Sequence, residues 1–215
     1  MGTLAQRRLV RRLDLERFLQ RTLQHPSPRA FLEQYSIPVD VAAEILFLAA
    51  YVHDDIVGKT IVDLGCGTGR LALAAAFLGA ATAVGVDIDK VAIKMAKESS
   101  ERLSMNGKTS WVLGDIEALH GDFHTVLQNP PFGVQRRGAD RRFILKALEL
   151  APIVYSLHKS GESNRAFIKR FIERHRGKVT SIFQMKLDIQ RQFRFHAERT
   201  HTVKVDLYRM EAAGE

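Results

Sequence analysis

Asn129-Pro130-Pro131-Phe132 is the segment whose residue types define a chemistry most narrowly. Two consecutive prolines fix the backbone and donate no hydrogen bond. They hold the Asn129 side-chain oxygen and the Pro130 carbonyl as two acceptors toward one pocket, with Pro131 completing the rigid turn. Such a pair suits a planar amino group with two N–H bonds. The nitrogen of that group is a poor nucleophile, because its lone pair is delocalised into a ring or an amide. Accepting both hydrogens draws it toward a tetrahedral, attack-ready form, and the same acceptors stabilise the cation that develops. Phe132 can stack on a planar substrate, worth about 1–3 kcal/mol for a base. Taken alone, the tetrapeptide reads better as an ordinary turn leaving a strand, so its place in the chain decides.

A second constellation lies upstream. Asp63-Leu64-Gly65-Cys66-Gly67-Thr68-Gly69 follows a short apolar run and opens onto an Ala/Leu-rich stretch. Glycines there let the chain turn tightly and let a ligand approach the backbone beside a helix N-terminus. A dinucleotide fingerprint needs glycine at its first, third and sixth positions. Counted from Gly65 the sixth residue is Arg70, so that pattern fails. Three glycines behind an acidic strand end suit a nucleoside-bearing ligand without a pyrophosphate. Asp87, followed by Ile88, ends the next apolar run, where a carboxylate can accept both ribose hydroxyls. Asp115 ends the third, placed to accept an adenine amino hydrogen while Ile116 packs on the ring. Singly, an aspartate is more often a cap or turn former, and Asp89 and Asp122 read as such. Three such strand ends in order read as a binding site.

These positions need strands to carry them. Apolar runs at 60–64, 81–86, 110–113, 125–128 and 153–157 predict strands, alternating with helical patterns at 69–78, 89–103, 143–150 and 163–175. Alternation of this kind predicts an α/β fold with a doubly wound, mostly parallel sheet. Stretches 179–187 and 203–210 alternate apolar and polar residues with no helix between them. They predict an antiparallel pair at one edge, making seven strands with one antiparallel edge strand. Leu9, Leu13, Leu19 and Leu23 predict an amphipathic basic helix over 4–24, broken at His25-Pro26-Ser27-Pro28. An apolar helix over 39–51 follows. Residues 1–30 read as a basic helical extension ahead of one domain over 31–215.

The chain has 215 residues, 46% of them hydrophobic, and a formal charge of +8. That suffices for a full core and excludes disorder as the main state. The single cysteine excludes a disulfide framework, and Cys66 reads as a small packed residue rather than a nucleophile. The eight histidines show no ligand spacing, so no metal site is expected. With no apolar run of about 18 residues and no signal-peptide pattern, no membrane contact and a cytoplasmic location are expected. Charge is segregated along the chain. Residues 1–30 carry seven arginines against Asp14 and Glu16, residues 31–130 carry 7 basic and 13 acidic side chains, and residues 131–215 carry 18 and 9. Two basic ends around an acidic centre suggest a polyanionic partner.

With these motifs in order, the sequence resembles class I S-adenosylmethionine-dependent methyltransferases of the amino-methylating type. Leu32-Glu33-Gln34-Tyr35, Asp63 to Gly67, Asn129 to Gly133, Tyr155-Ser156-Leu157-His158-Lys159-Ser160, Arg194-Phe195-His196 and Val203 to Leu207 are similar to the methyltransferase-like protein 5 family, over roughly residues 31–210. The resemblance implies a Rossmann-like fold, S-adenosyl-L-methionine as cofactor, and N6-methylation of one adenosine in small-subunit ribosomal RNA. It implies that Gln34 and Ile37 close over the methionine end of the cofactor and that Gly65, Gly67 and Thr68 form its loop beside Asp63. Asp87 with Ile88 then takes the ribose, Asp115 with Ile116 the adenine, and Asn129, Pro130 and Phe132 the target base. Ile37 stands where the family commonly has threonine, and Thr68 where eukaryotic members often have cysteine. Eukaryotic members rely on a small zinc-binding activator protein.

An RNA substrate needs cations beside the pocket. Gly133 to Asp140, with Arg136 and Arg137, reads as a basic loop that Arg141 and Arg142 extend, suited to phosphate contact. Arg191 to His196 interleaves cations with aromatics, and Arg194 is its candidate RNA contact, although Phe193 and Phe195 could equally pack between strands. Two other functions share these motifs. Methylation of a protein glutamine uses related motifs ending in tyrosine rather than Phe132, and a non-catalytic RNA-binding module could retain the fold.

Overall fold

The computed structural model describes residues 9–28, 36–132, 138–190 and 200–213. Helix α1 (Arg12–Leu19) is followed by α2 (Val39–Phe47). Five short runs then form parallel strands, β1 (Thr60–Leu64), β2 (Thr82–Asp87), β3 (Thr109–Leu113), β4 (Thr125–Gln128) and β5 (Ile153–Lys159). Between and after them come α3 (Arg70–Leu78), α4 (Lys90–Arg102), α5 (Ala139–Leu150) and α6 (Glu162–Arg174). The helices bury both faces of the sheet, which is why β4 can be apolar on both sides. One apolar layer joins Ile61, Leu127 and Leu157 to α1, α2 and α3, and the other joins Val62, Val126 and Val154 to α5 and α6.

The chain ends in β6 (Gly177–Gln190) and β7 (Thr200–Ala212), paired antiparallel as expected. The strand order is β3-β2-β1-β4-β5-β7-β6. The one reversed strand, β7, lies one place in from the edge, because it pairs with β5 as well as β6.

The N-terminal helix differs most from the pattern reading. It is shorter, and its buried stripe is Leu15, Phe18 and Leu19, whereas Leu9 and Leu13 face solvent. Leu15 and Leu19 are fully buried and Phe18 stacks on Phe77 of α3 at 4.1 Å. The charge boundary near residue 30 is therefore not a packing boundary for this helix. The helix expected over 39–51 is present, but its last turn, Leu48–Val52, widens to a π-helix. There the Asp55 N–H donates to the Ala49 carbonyl at 2.8 Å.

That turn delivers Asp55 into the sheet at the amino ends of β1 and β4. The Tyr155 hydroxyl and the Arg209 Nε donate to its Oδ2 at 2.6 and 2.9 Å, and the Thr125 hydroxyl donates to its backbone carbonyl at 2.6 Å. Burial, then the Asp55 carboxylate, pushes the Tyr155 phenol well up, so it stays a donor.

Candidate active site

At the other end of the sheet, Leu64 of β1 pairs with Gln128 of β4, so the glycine turn and Asn129 leave the sheet side by side. The strand order reverses here, and such a switch point is where open α/β sheets bind ligands. A cavity of about 260 Å³ lies in the crevice. Asp63, Gly65, Gly67, Thr68, Asp87, Ile88, Asp115 and Ile116 border it, as do Asn129, Pro131 and Ile37. Pro130 and Phe132 do not. Pro130 is buried, and Phe132 is half-buried against the larger apolar layer. Arg141 is exposed with its guanidinium 4.8 Å from the Phe167 ring centre. Gln34, Arg136, Arg137 and Arg194 lie outside the described residues.

The turn needs its glycines for two reasons. Gly65 and Gly69 have φ of +66° and +81°, where a side chain is strained. A Cβ on Gly65 would sit 2.9 Å from the Phe143 ring, and one on Gly69 only 2.3 Å from the Trp111 indole. The Gly67 N–H donates to Asp87 Oδ2 at 2.8 Å, tying the turn to the end of β2. The Asp89 N–H donates to Asp87 Oδ1 at 2.8 Å. Burial raises the Asp87 carboxyl, and these backbone donors oppose it. Each of its oxygens keeps a lone pair for a hydroxyl donor. Asp89 itself caps α4 by accepting the Val91 N–H, as read.

Asp115 is half-exposed. The Glu117 N–H holds its carboxyl below the usual range against desolvation, with further help from Arg142. Arg142, which the sequence joins to the basic loop, instead pairs with Asp115 at 3.0 Å and Glu117 at 3.2 Å. It forms part of the cavity wall. Cys66 is buried, and burial, then Asp63 and Asp87, keeps its thiol well above the usual range. That fits a packed residue, not a nucleophile.

Behind Asn129 runs a buried polar chain. The Gln128 Nε2 donates to the Ser156 hydroxyl at 2.9 Å, and that hydroxyl lies 2.7 Å from His158 Nε2. Burial brings the imidazole down to about 3, against the opposing pull of Asp206, so it is neutral. Asp206, fully buried, takes a bidentate pair from Arg165 at 2.7 and 2.8 Å. Residues 155–160 thus anchor the strand beside Asn129. Sequence reasoning passed over Arg70, His25 and Phe143, all of which border the cavity. Arg70 was visible only as the residue that breaks the dinucleotide pattern.

Comparison with known proteins decides what kind of crevice this is. Residues 36–181 match the family model described as methyltransferase small domain. The chain belongs to this family. The protein MJ0284 of Methanocaldococcus jannaschii is 35% identical over 96% of each chain. The rRNA N(6)-adenosine-methyltransferase Mettl5 of Drosophila melanogaster is 34% identical, over 94% of this chain and 96% of the relative. The crystal structure of PH1948 from Pyrococcus horikoshii superposes with a TM-score of 0.88 at 37% identity, covering 96% of this chain and all of that one. This small-domain methyltransferase uses S-adenosyl-L-methionine.

The residues present fit that cofactor. Its sulfonium and ammonium are cationic, and Asp63, Asp87 and Asp115 border the cavity. Asp63 is fully buried, and desolvation pushes its carboxyl up to about 7, opposed by the Ala72 N–H and helped by Asp87. A cationic guest favours the carboxylate, so binding draws off this proton. Below pH 7 that deprotonation opposes binding, by up to about tenfold in affinity per pH unit. Cofactor affinity is therefore expected to rise with pH up to about 7 and level off above it. Calorimetric titrations between about pH 5.5 and 8.5 test this coupling. Asp63→Asn should flatten the profile, and a wild-type profile that is flat or falls with pH would refute it.

Proposed function

We propose that this methyltransferase transfers a methyl group to the N6 amino group of an adenosine in small-subunit ribosomal RNA. One observation carries the reading. Asn129 and Pro131 border the same cavity as Asp87 and Asp115, so an amino-group acceptor and a nucleoside site share one space. The Drosophila relative named for rRNA adenosine N6-methylation supports the same substrate class, as do the two basic ends of the chain.

Bound S-adenosyl-L-methionine supplies an electrophilic methyl group. Asn129 and the Pro130 carbonyl accept the two amino hydrogens, raise the nitrogen's nucleophilicity and stabilise its developing charge. Phe132 turns from its half-buried place to stack on the base. A base inside a helix cannot reach the cavity, so the target adenosine is unpaired or flipped out. Arg141, with Arg136, Arg137 and Arg194, holds the RNA phosphates.

No helix of the described residues is long and apolar enough to cross a membrane, and the proposal places the protein in the cytoplasm. It also includes a small zinc-binding activator, for which the open edge of β3, with Val112 and Leu113 exposed, is one of two sheet edges that could receive it, β6 being the other.

The test is incubation with labelled cofactor and small-subunit rRNA that lacks the modification. Label is expected at N6 of a single adenosine. Label in protein alone would establish the glutamine reading instead, and label in large-subunit rRNA alone would overturn the choice of subunit.

A further inference from the structure

Arg70 is the first residue of α3 and only 7% exposed. It borders the cavity, and no carboxylate among the described residues lies within ion-pair distance of it. Its partners are neutral. Nη1 donates to the Ile37 carbonyl, while Nε and Nη2 share the Thr22 hydroxyl at 3.4 Å, which is long for a hydrogen bond. Two of its five N–H bonds remain. Desolvation lowers the Arg70 pKa, as expected for a buried cation without a counter-ion.

The other basic groups around the cavity are differently placed. Arg142 is committed to Asp115 and Glu117, and His25 lies 3.4 Å from Asp89. Position along the sheet then matters. With the adenine beyond β3 and the ribose beyond β2, the amino-acid end of the cofactor falls over β1 and the start of α3. Arg70 stands there, beside the first-turn amides of a helix, which also favour an anion.

We propose that Arg70 binds the α-carboxylate of S-adenosyl-L-methionine and makes the pocket selective for the carboxylated sulfonium. The same guanidinium also contacts the Thr22 hydroxyl and the Ile37 carbonyl, so it is held in place by neutral partners before the carboxylate arrives. This rests on S-adenosyl-L-methionine being the ligand.

The probe is decarboxylated S-adenosylmethionine, which keeps the sulfonium and ammonium and lacks only the carboxylate. Calorimetry on the full chain is expected to show the wild type preferring the carboxylated form by about 10- to 100-fold, the range for a charged hydrogen-bonded pair. In Arg70→Met the two should bind within about threefold of each other, with affinity for the decarboxylated form changed little. Arg70→Gln keeps a donor for Ile37 and serves where the Met variant does not fold. Equal affinities in the wild type, or equal loss of both ligands in a folded variant, overturn the proposal. Failure of the wild type to bind either ligand would instead overturn the cofactor.

Discussion

Asn129→Ala is expected to reduce methyl transfer to RNA by about 10²- to 10³-fold, the cost of removing one preorganised polar group from a transition state. Cofactor affinity should change by less than about threefold, since Asp63, Asp87, Asp115 and the glycine turn are untouched. The reason is positional. Asn129 follows β4, which is buried throughout and paired on both sides. The residue before it is held through Ser156 to His158. Its amide is therefore presented by a rigid support, and alanine leaves the amino hydrogen without its acceptor. Asn129→Asp keeps an acceptor oxygen and should retain more activity than alanine. Initial rates with labelled cofactor, beside calorimetric affinities, measure both effects. Equal turnover by the alanine variant would sink the assignment of Asn129.

The second large effect is on stability. Asp55→Ala should destabilise the protein by about 3–5 kcal/mol, the usual consequence of removing one partner of a buried ion pair. Asp55 is 4% exposed and receives both the Tyr155 hydroxyl and the Arg209 guanidinium. Alanine leaves the buried Tyr155 hydroxyl without its acceptor and takes from Arg209 its buried counter-ion, leaving the guanidinium only Thr180 and Glu211. At this chain length the loss corresponds to roughly 6–20 °C in Tm. The solvent-exposed pair of Asp14 with Arg11 is the contrasting case, and its removal should shift Tm far less. Scanning calorimetry separates the two cases. Because Asp55 lies at the far end of the sheet, the variant kept below its Tm should bind cofactor normally. A Tm within about 2 °C of wild type would show that the network is replaceable.

The contrast between these two residues reflects what a one-dimensional pattern contains. Asn129 was legible because two prolines and a following aromatic restrict its conformation locally. Asp55 was not, because its partners lie 100 and 154 residues away and nothing around it is unusual. The same distinction separates Leu64-Gly65, read as a strand end and turn from local types, from Arg70, whose burial depends on Thr22 and Ile37. Arg142 looked like part of a basic loop because its acidic partners are more than twenty residues upstream. The N-terminal leucines misled for a related reason. Leu9 and Leu13 share the helical spacing of Leu19, but Leu19 is buried with Leu15 and Phe18 against the larger apolar layer while Leu9 and Leu13 face solvent.

The sequence alone determined the alternation of strands and helices, the glycine turn and the acidic strand ends, and with the Asn129-Pro130-Pro131-Phe132 segment it pointed to the methyltransferase family. Each is local: backbone freedom at glycine, restriction at proline, and hydrophobic period are properties of neighbouring residues. Only the tertiary structure decided that β1 and β4 lie side by side and bring residues 65 and 129 to one cavity. It alone set β7 inside the edge and left the Arg70 guanidinium buried with no carboxylate partner among the described residues. Those outcomes depend on which surfaces are buried against each other, and burial sets both the cost of a charge and the partner that must meet it.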